Sequence, residues 1–340
     1  MKYTFMKICL VRNDKMGDMI LTLPVVQGLK EVNKDYQIDI VCSKKNHKIC
    51  KTYKSINKIF LLQNKFSQIL KTILKLRNED YDYIFSLSPG IVSILISIFS
   101  KSKTKSLLIF KSRYKNKYMS KFFDRILGRI FFNHFKIIDR KLRYSKNIPI
   151  HQTEIMMELV TKNGLNLNNN AEIKKVIEFG KIDLNSEKLC LIHLSSKWIN
   201  KYFSEEKFIN LLDNLRNLEI NIVMTTDGTS KNVFYEIFKK YEIITNEGFE
   251  NLKNINNVLI LDQLNFDNWT TIINSSTYVI TPECGCTHVA SLCATKLCVI
   301  YDSDNVPDMI TREYSPWKKK YTKLFSNNQN LEKELISFIS

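Results

Sequence analysis

The chain has 340 residues, with 51 Lys plus Arg against 34 Asp plus Glu and a formal charge of +17. At about 150 residues per domain that length predicts two domains, and 44% hydrophobic with 25% charged residues is a globular composition that excludes wholesale disorder. The longest nearly apolar stretch, 90–100, is too short to span a bilayer, and the N-terminus lacks the apolar core and cleavage site of a signal peptide. The eight Cys show no CxxC pair and no disulfide-framework spacing, which predicts reduced, buried thiols in a cytosolic protein.

In chain order, Lys7 to Arg12 reads as a first strand and Ile20 to Val32 as a helix despite Pro24. Strands follow at Gln37 to Cys42 and Lys58 to Leu62. An amphipathic helix over Phe66 to Leu76 has Ile69, Leu70, Ile73 and Leu74 on one face. Tyr83 to Leu87 and Ser106 to Phe110 are the next strands. Residues 117–135 have helical spacing, with Tyr118, Met119, Phe122, Phe123, Ile126, Leu127, Ile130 and Phe131 on the apolar side. Lys117, Lys121, Arg125 and Arg129 form an i, i+4 row beside them. Residues 151–164 read as a helix closed by Gly164, and the Asn-rich stretch 165–171 as the domain boundary. The alternation then restarts, with strands at 189–193, 221–225, 258–261, 278–281 and 297–301 and helices at 208–218, 233–241, 267–273 and 287–293. Strands alternating with helices predict an α/β chain with a parallel sheet in each of two domains, 1–165 and 166–340. The amphipathic tail 331–340 is expected to pack back on the first domain as a terminal helix.

Charge is concentrated. Residues 101–146 hold 15 Lys/Arg and only two acids, Asp124 and Asp139. Such a block suits an anionic partner, although a solvated face of a Lys-rich protein is the plain alternative. The basic helix 117–135 can lie on an anionic membrane or pack its apolar face on its own domain.

Open α/β sheets bind ligands beyond the carboxyl ends of their strands, and three stretches stand there. In RNDKMGD (12–18), Gly17 permits a tight turn. Asp18 is either a helix N-cap or a base that takes a proton from a sugar hydroxyl. In HLSSKWINKYFSEEKF (193–208), Ser195, Ser196, Lys197 and Lys201 precede a helix start at Ser204, Glu205 and Glu206. Hydroxyls, N–H groups and an ammonium there suit a phosphate, or form an ordinary solvated loop. In TPECGCTHVA (281–290), Glu283 can accept from sugar hydroxyls, and Gly285 and Thr287 can help a helix start receive an anion. His288 reads as a structural hydrogen bonder. Cys284 and Cys286 match no zinc spacing, so no metal is expected. Neither GxGxxG nor GxxxxGK[ST] is present, which disfavours hydride transfer and P-loop chemistry. Asp302-Ser303-Asp304 follows a late strand and reads as a loop cap. No nucleic-acid module is recognisable, so no nucleic-acid partner is expected.

Taken in order, RNDKMGDMILTLPVVQGLKE (12–31), HLSSKWINKYFSEEKF and the segment 264–302 resemble glycosyltransferase family 9, the ADP-heptose:lipopolysaccharide heptosyltransferases. The resemblance implies a GT-B architecture, two Rossmann-like domains facing across a cleft. It also implies inverting, metal-independent transfer without a cofactor, from a nucleotide-sugar such as ADP-heptose held by the C-terminal domain. The acceptor, a lipopolysaccharide core or related glycan, would bind the N-terminal domain. Asp18 then matches the catalytic Asp, and Lys201 the Lys on the donor diphosphate. Ser195 and Ser196 match small phosphate-lining residues, and Glu283, Gly285 and His288 the Asp, Gly and His of the donor site. Five residues depart from the family pattern: Glu283 for Asp, Cys284 for a small hydroxyl residue, Phe203 for Trp, and Leu194-Ser195 for Pro-Gly. They motivate an alternative reading as a catalytically silent GT-B scaffold that binds a nucleotide-sugar or glycan. On the heptosyltransferase reading, the basic block, including Lys117, Lys121, Arg125 and Arg129, would hold an anionic lipid-linked saccharide. The enzyme would then be peripheral to the inner face of the cytoplasmic membrane.

Overall fold

A computed structural model describes residues 5–340 except 64, 89, 112–124, 127, 174–175, 185–187, 227, 229–230, 253–254, 256–257 and 304–305. The chain forms two compact units. The first is Met1–Ile177 with Arg312–Tyr314, and the second is Glu178–Thr311 with Ser315–Ser340. Among the described residues no helix is long and apolar enough to cross a membrane.

The first unit is built on a parallel sheet. Its strands are β1 (Lys7–Arg12), β2 (Gln37–Ser43), β3 (Lys58–Leu62), β4 (Tyr81–Ser86), β5 (Ser102–Phe110) and β6 (His134–Ile138), in the order β3-β2-β1-β4-β5-β6. The register runs from Lys7 opposite Gln37 on one side and Ile8 opposite Tyr83 on the other. Strand order reverses at β1 and β4, so their carboxyl ends diverge and leave room for a ligand there. The central strands are buried on both faces, as β1 shows from Ile8 to Arg12.

Several elements differ from the sequence expectations. The helix expected from Ile20 to Val32 is two helices, α1 (Met16–Ile20) and α2 (Leu23–Val32), with Pro24 in the first turn of α2. Proline fits that position because its missing N–H would be unpaired there anyway. The short helix α3 (His47–Thr52) was not foreseen. In α4 (Phe66–Arg77) the face is misassigned: Ile73 and Leu76 are buried, whereas Leu70 and Leu74 are exposed. Apolar residues line two sides of this helix, and periodicity cannot choose between them. α5 (Ile91–Phe99) follows β4. Of the helix expected over 117–135, residues 117–124 and 127 lie outside the described residues. Residues 125–126 and 128–131 are helical, but 134–138 form β6, paired in parallel with β5. After α6 (Arg140–Ser145) comes α7 (Gln152–Lys162), and Gly164 at φ +81° ends that turn as expected.

The Asn-rich stretch belongs to the first unit. Leu165, Leu167, Ala171 and Ile173 are buried, and the Asn168 N–H donates to the Gly28 carbonyl at 3.0 Å. A Cβ on Gly28 would meet Asn168 O at 2.6 Å and Leu167 Cδ1 at 3.2 Å. Gly28→Ala is therefore expected to destabilise the first unit by about 1–3 kcal/mol, read by urea unfolding.

The second unit has seven parallel strands: β7 (Leu189–His193), β8 (Asn221–Thr226), β9 (Glu242–Ile244), β10 (Val258–Asp262), β11 (Tyr278–Pro282), β12 (Lys296–Tyr301) and β13 (Thr322–Phe325). Their order is β13-β12-β11-β7-β8-β10-β9, so the order reverses at β7 and β11. The edge strands β9 and β13 are short and were not foreseen. α8 (Glu205–Arg216) starts as expected, with Ser204 Oγ accepting from the Lys207 N–H at 3.3 Å. α9 (Tyr235–Lys240), α10 (Phe266–Ser275), α11 (Gly285–Ser291) and α12 (Pro307–Tyr314) complete the crossovers. The terminal helix α13 (Leu331–Ile339) is counted with the second unit. Its Leu331, Leu335 and Ile339 enter the second core with Leu211, Leu215 and Ile300, which is where its apolar stripe finds a partner.

Candidate functional site

In the first unit, β1 delivers Arg12 to the switch point. Its side chain is buried, and it donates to the Leu87 carbonyl at 2.6 Å and to Asp18 Oδ1 at 3.0 Å. Its Nε lies 3.1 Å from Asp14 Oδ1. The N-cap of α1 is Lys15, so Asp18 is not the cap. It stands within the first turn, with its carboxylate fixed by Arg12. Asn46 Nδ2 holds the Arg12 carbonyl at 2.9 Å, and the Asn13 N–H donates to Ser88 Oγ at 2.9 Å. Burial pushes the Asp14 carboxyl up, Arg12 opposes this, and the Asp18 charge adds to the rise.

Beside these carboxylates lies a cavity of about 580 Å³ at the carboxyl ends of β1, β2 and β3. It is lined by Lys15, Lys44, Lys45 and Lys65, with Asp14 and Ser43 among the polar groups. Sequence reading missed Asp14 and this lysine set. Only the 3-2-1-4 strand order brings residues 13–15, 43–45, 63 and 65 together.

In the second unit, the loop after β7 is a π-helical turn, Trp198–Tyr202, closed by the Phe203 N–H donating to the Trp198 carbonyl at 2.8 Å. Such turns are rare and gather at functional sites. Trp198 is buried, its ring near those of Phe203 and Phe208, and its indole N–H donates to the His193 carbonyl at 2.9 Å. Phe203, where the family pattern has Trp, is thus part of the anchor. The turn brings Lys197 and Lys201 to one carboxylate: Asp302 Oδ2 lies 3.4 Å from the first and 2.7 Å from the second. The Tyr202 hydroxyl donates to Asp302 Oδ1 at 3.1 Å. Burial alone would raise the Asp302 carboxyl, but the Lys201 hydrogen bond and both lysine charges hold it below its ordinary range. Asp302 is therefore the counter-ion of the lysine pair, not the loop cap expected from sequence.

Glu283 follows β11 and comes from the other side of the switch point. Its Oε2 is 3.9 Å from Lys197 Nζ, which also donates to the Glu283 carbonyl at 3.2 Å. Ser195 Oγ accepts from the Lys197 N–H at 3.3 Å, and the Ser196 carbonyl accepts from the Asn200 N–H at 2.9 Å. A Cβ on Gly285 would meet nothing within 4 Å, so this residue leaves open space at the start of α11. Thr287 and His288 are different. Both are buried, and Thr287 Oγ1 accepts from the Cys284 N–H at 3.2 Å and donates to the Pro282 carbonyl at 3.2 Å. Thr287 therefore builds the helix start and presents no hydroxyl to a ligand. Among the described residues no group of three His, Cys, Asp or Glu side chains is placed to hold a metal ion.

Cys284 is the one thiol of the eight that is not buried. Burial of its sulfur would raise the thiol, but the His193 ring and the Thr281 hydroxyl beside it bring it below its ordinary range. Iodoacetamide is expected to label Cys284 before the other seven, as read by peptide mass spectrometry. Equal labelling of all eight would contradict this environment.

Two Rossmann-like units, each a parallel sheet with its residues of interest at the strand-order reversal, define the GT-B class of glycosyltransferase fold. The chain belongs to glycosyltransferase family 9 (heptosyltransferase), which it matches over residues 69–336. It is similar to lipopolysaccharide heptosyltransferase 1 of Campylobacter coli, at 30% identity over 95 residues, 27% of this chain and 28% of that relative's length. Among solved structures it resembles E. coli heptosyltransferase WaaC with ADP, at TM-score 0.72 and 13% identity over 98% of this chain and 100% of that one. It also resembles E. coli ADP-heptose lps heptosyltransferase II, at TM-score 0.69 and 12% identity over 98% and 97%. At such identities these structures speak to the fold.

Proposed function

We propose that the chain is an inverting, metal-independent glycosyltransferase. It moves a heptose or related sugar from a nucleotide-diphosphate donor to a lipopolysaccharide core or related glycan. The observation that carries this reading is the pairing of Lys197 and Lys201 with Asp302 beside open space at Gly285. A diphosphate arriving there would share both ammoniums, and Glu283 would take sugar hydroxyls. As the sugar–phosphate bond breaks, negative charge grows on the diphosphate, and the two lysines stabilise it without a metal. ADP-heptose is the preferred donor, since one similar structure is WaaC with ADP-2-deoxy-2-fluoro heptose.

In the first unit, Asp18 would be the general base. Arg12 occupies Oδ1 and leaves Oδ2 to accept the proton of the attacking hydroxyl. Lys15, Lys44, Lys45 and Lys65 line space for an anionic acceptor. With Lys117, Lys121, Arg125 and Arg129 they would favour a phosphorylated, lipid-linked saccharide at the inner face of the cytoplasmic membrane. Activity on such an acceptor is expected to fall as salt rises.

The testing experiment is a thermal-shift panel of ADP, UDP, GDP, CMP and ADP-heptose on wild type and Lys201→Ala. Ligand binding raises apparent stability by mass action. The expected result is a selective ADP or ADP-heptose shift that Lys201→Ala removes. A UDP- or GDP-selective shift would replace the donor and keep the reaction class. No shift with any nucleotide would overturn the donor-site reading. A selective shift without sugar transfer would favour the silent scaffold, which the Glu283 and Cys284 departures motivate.

A further inference from the structure

Among its described residues, the first unit carries an apolar outer surface that the described core does not use. The inner faces of α4 and α5 are spent on the sheet. Ile73, Leu76 and Ile96 pack with Cys9, Val11 and Val41, while Ile94 and Ile98 pack with Leu107, Ile109 and Phe132. These contacts place α4 and α5 together on one face of the sheet, and Phe132, directly after the helical residues 128–131, brings the end of that segment against α5. Their outer sides are apolar again. Phe66 is 74% exposed, Leu74 62%, Ile91 61% and Ile130 66%, with Leu70, Leu95, Phe99, Ile126 and Phe131 also exposed. Phe66, Leu70 and Leu74 follow one another at i, i+4, i+8, as do Ile91, Leu95 and Phe99. Nine of the fifteen large exposed hydrophobic residues among those described thus sit on three neighbouring segments. Scattered single exposures need no explanation, whereas a contiguous set marks an interaction surface.

Charge decides the occupant. α5, IVSILISIF, has no charged residue although one side of it faces solvent. The three segments carry Lys71, Lys75, Arg77, Arg125 and Arg129 and no acidic residue. Basic groups around a protruding apolar strip complement anionic headgroups over acyl chains, and this is the pattern of a helix face lying in the membrane interface. We propose that the outer face of α4, α5 and residues 125–126 and 128–131 enters the headgroup–acyl boundary of an anionic bilayer, holding the first unit on the membrane by insertion as well as by charge. The proposal rests on the reading of the acceptor as lipid-linked, and it deepens that reading by naming the apolar residues that make the contact.

The test is sedimentation with phosphatidylcholine vesicles, with and without phosphatidylglycerol, at about 0.1 M and about 0.5 M salt. The expected result is that wild type prefers the anionic vesicles and that Leu70→Glu with Leu95→Glu lowers its partitioning at least about tenfold at both salt levels. Both positions are exposed, so this variant keeps the wild-type thermal midpoint and nucleotide shift. The fluorescence of Phe99→Trp is expected to be quenched by lipids brominated in the acyl chain. Wild-type partitioning of the double variant, or unquenched fluorescence of Phe99→Trp, would overturn the proposal. So would a wild-type dimer that Leu95→Glu dissociates and that ignores vesicles, since the occupant is then a second copy. Transfer to a water-soluble acceptor without vesicle binding sinks this inference alone. Insertion without transfer from any donor sinks the enzymatic reading alone.

Discussion

Replacing Asp18 by Asn is expected to lower sugar transfer by about 10²–10⁴-fold while leaving the nucleotide-induced thermal shift unchanged. The amide keeps the shape and can still accept from Arg12, but it cannot take a proton from the acceptor hydroxyl. Asp18 belongs to the first unit and the lysine pair to the second, so donor binding and base catalysis separate in the assay. The measurement is initial transfer rate beside the shift. Full activity in Asp18→Asn would move the base elsewhere. Asp14, whose half-buried carboxyl already has a raised proton affinity, is the next candidate.

Arg12→Leu is expected to cost the first unit about 3–5 kcal/mol at pH 7.5, read by urea unfolding. Arg12 is 2% exposed and serves the Leu87 carbonyl, Asp14 and Asp18 together. Leucine fills part of the volume and leaves the Asp14 and Asp18 carboxylates without their cation. The sign with pH follows from Asp14. Its folded-state proton affinity is raised, so the folded state binds protons more tightly than the unfolded chain. Stability from that group is therefore present below the unfolded carboxylate range and is lost as pH rises through the folded value. Removing Arg12 enlarges the rise, so the deficit of Arg12→Leu should shrink as pH falls from 7.5 towards 5. A deficit independent of pH would mean that lost packing, and not unpaired charge, is the cost.

Most of the architecture was legible because buried parallel strands read as short β-branched runs. KICLVR and LCLIH fall where the structure has them, and YVIT falls within β11, which adds Pro282. The edges were less legible. β9 and β13 are three and four residues long, and the helical pattern read over 117–135 ran on into the first two residues of β6. Capping chemistry at Ser204 was readable, because a hydroxyl three residues before its N–H partner is a local arrangement. The outer row of α4 was not, since two apolar stripes on one helix look alike until the sheet chooses one.

The site divides in the same way. Asp18, Lys201, Glu283 and Gly285 could be named from motif and order, because each stands just beyond a strand end and local sequence sets that place. Asp302 as the partner of Lys197 and Lys201, Arg12 as the clamp on Asp14 and Asp18, and the lysine-lined cavity could not. Each joins residues far apart in sequence or meeting only at a strand end, and it is the strand order that sets which loops are neighbours. The sequence alone determined two parallel α/β units, the family and the strand-end residues, since these depend on local pattern and spacing. Only the tertiary structure decided which charges share a partner, which hydroxyls are spent on helix starts and which apolar rows remain outside, because those depend on what each strand and helix meets after the chain has closed on itself.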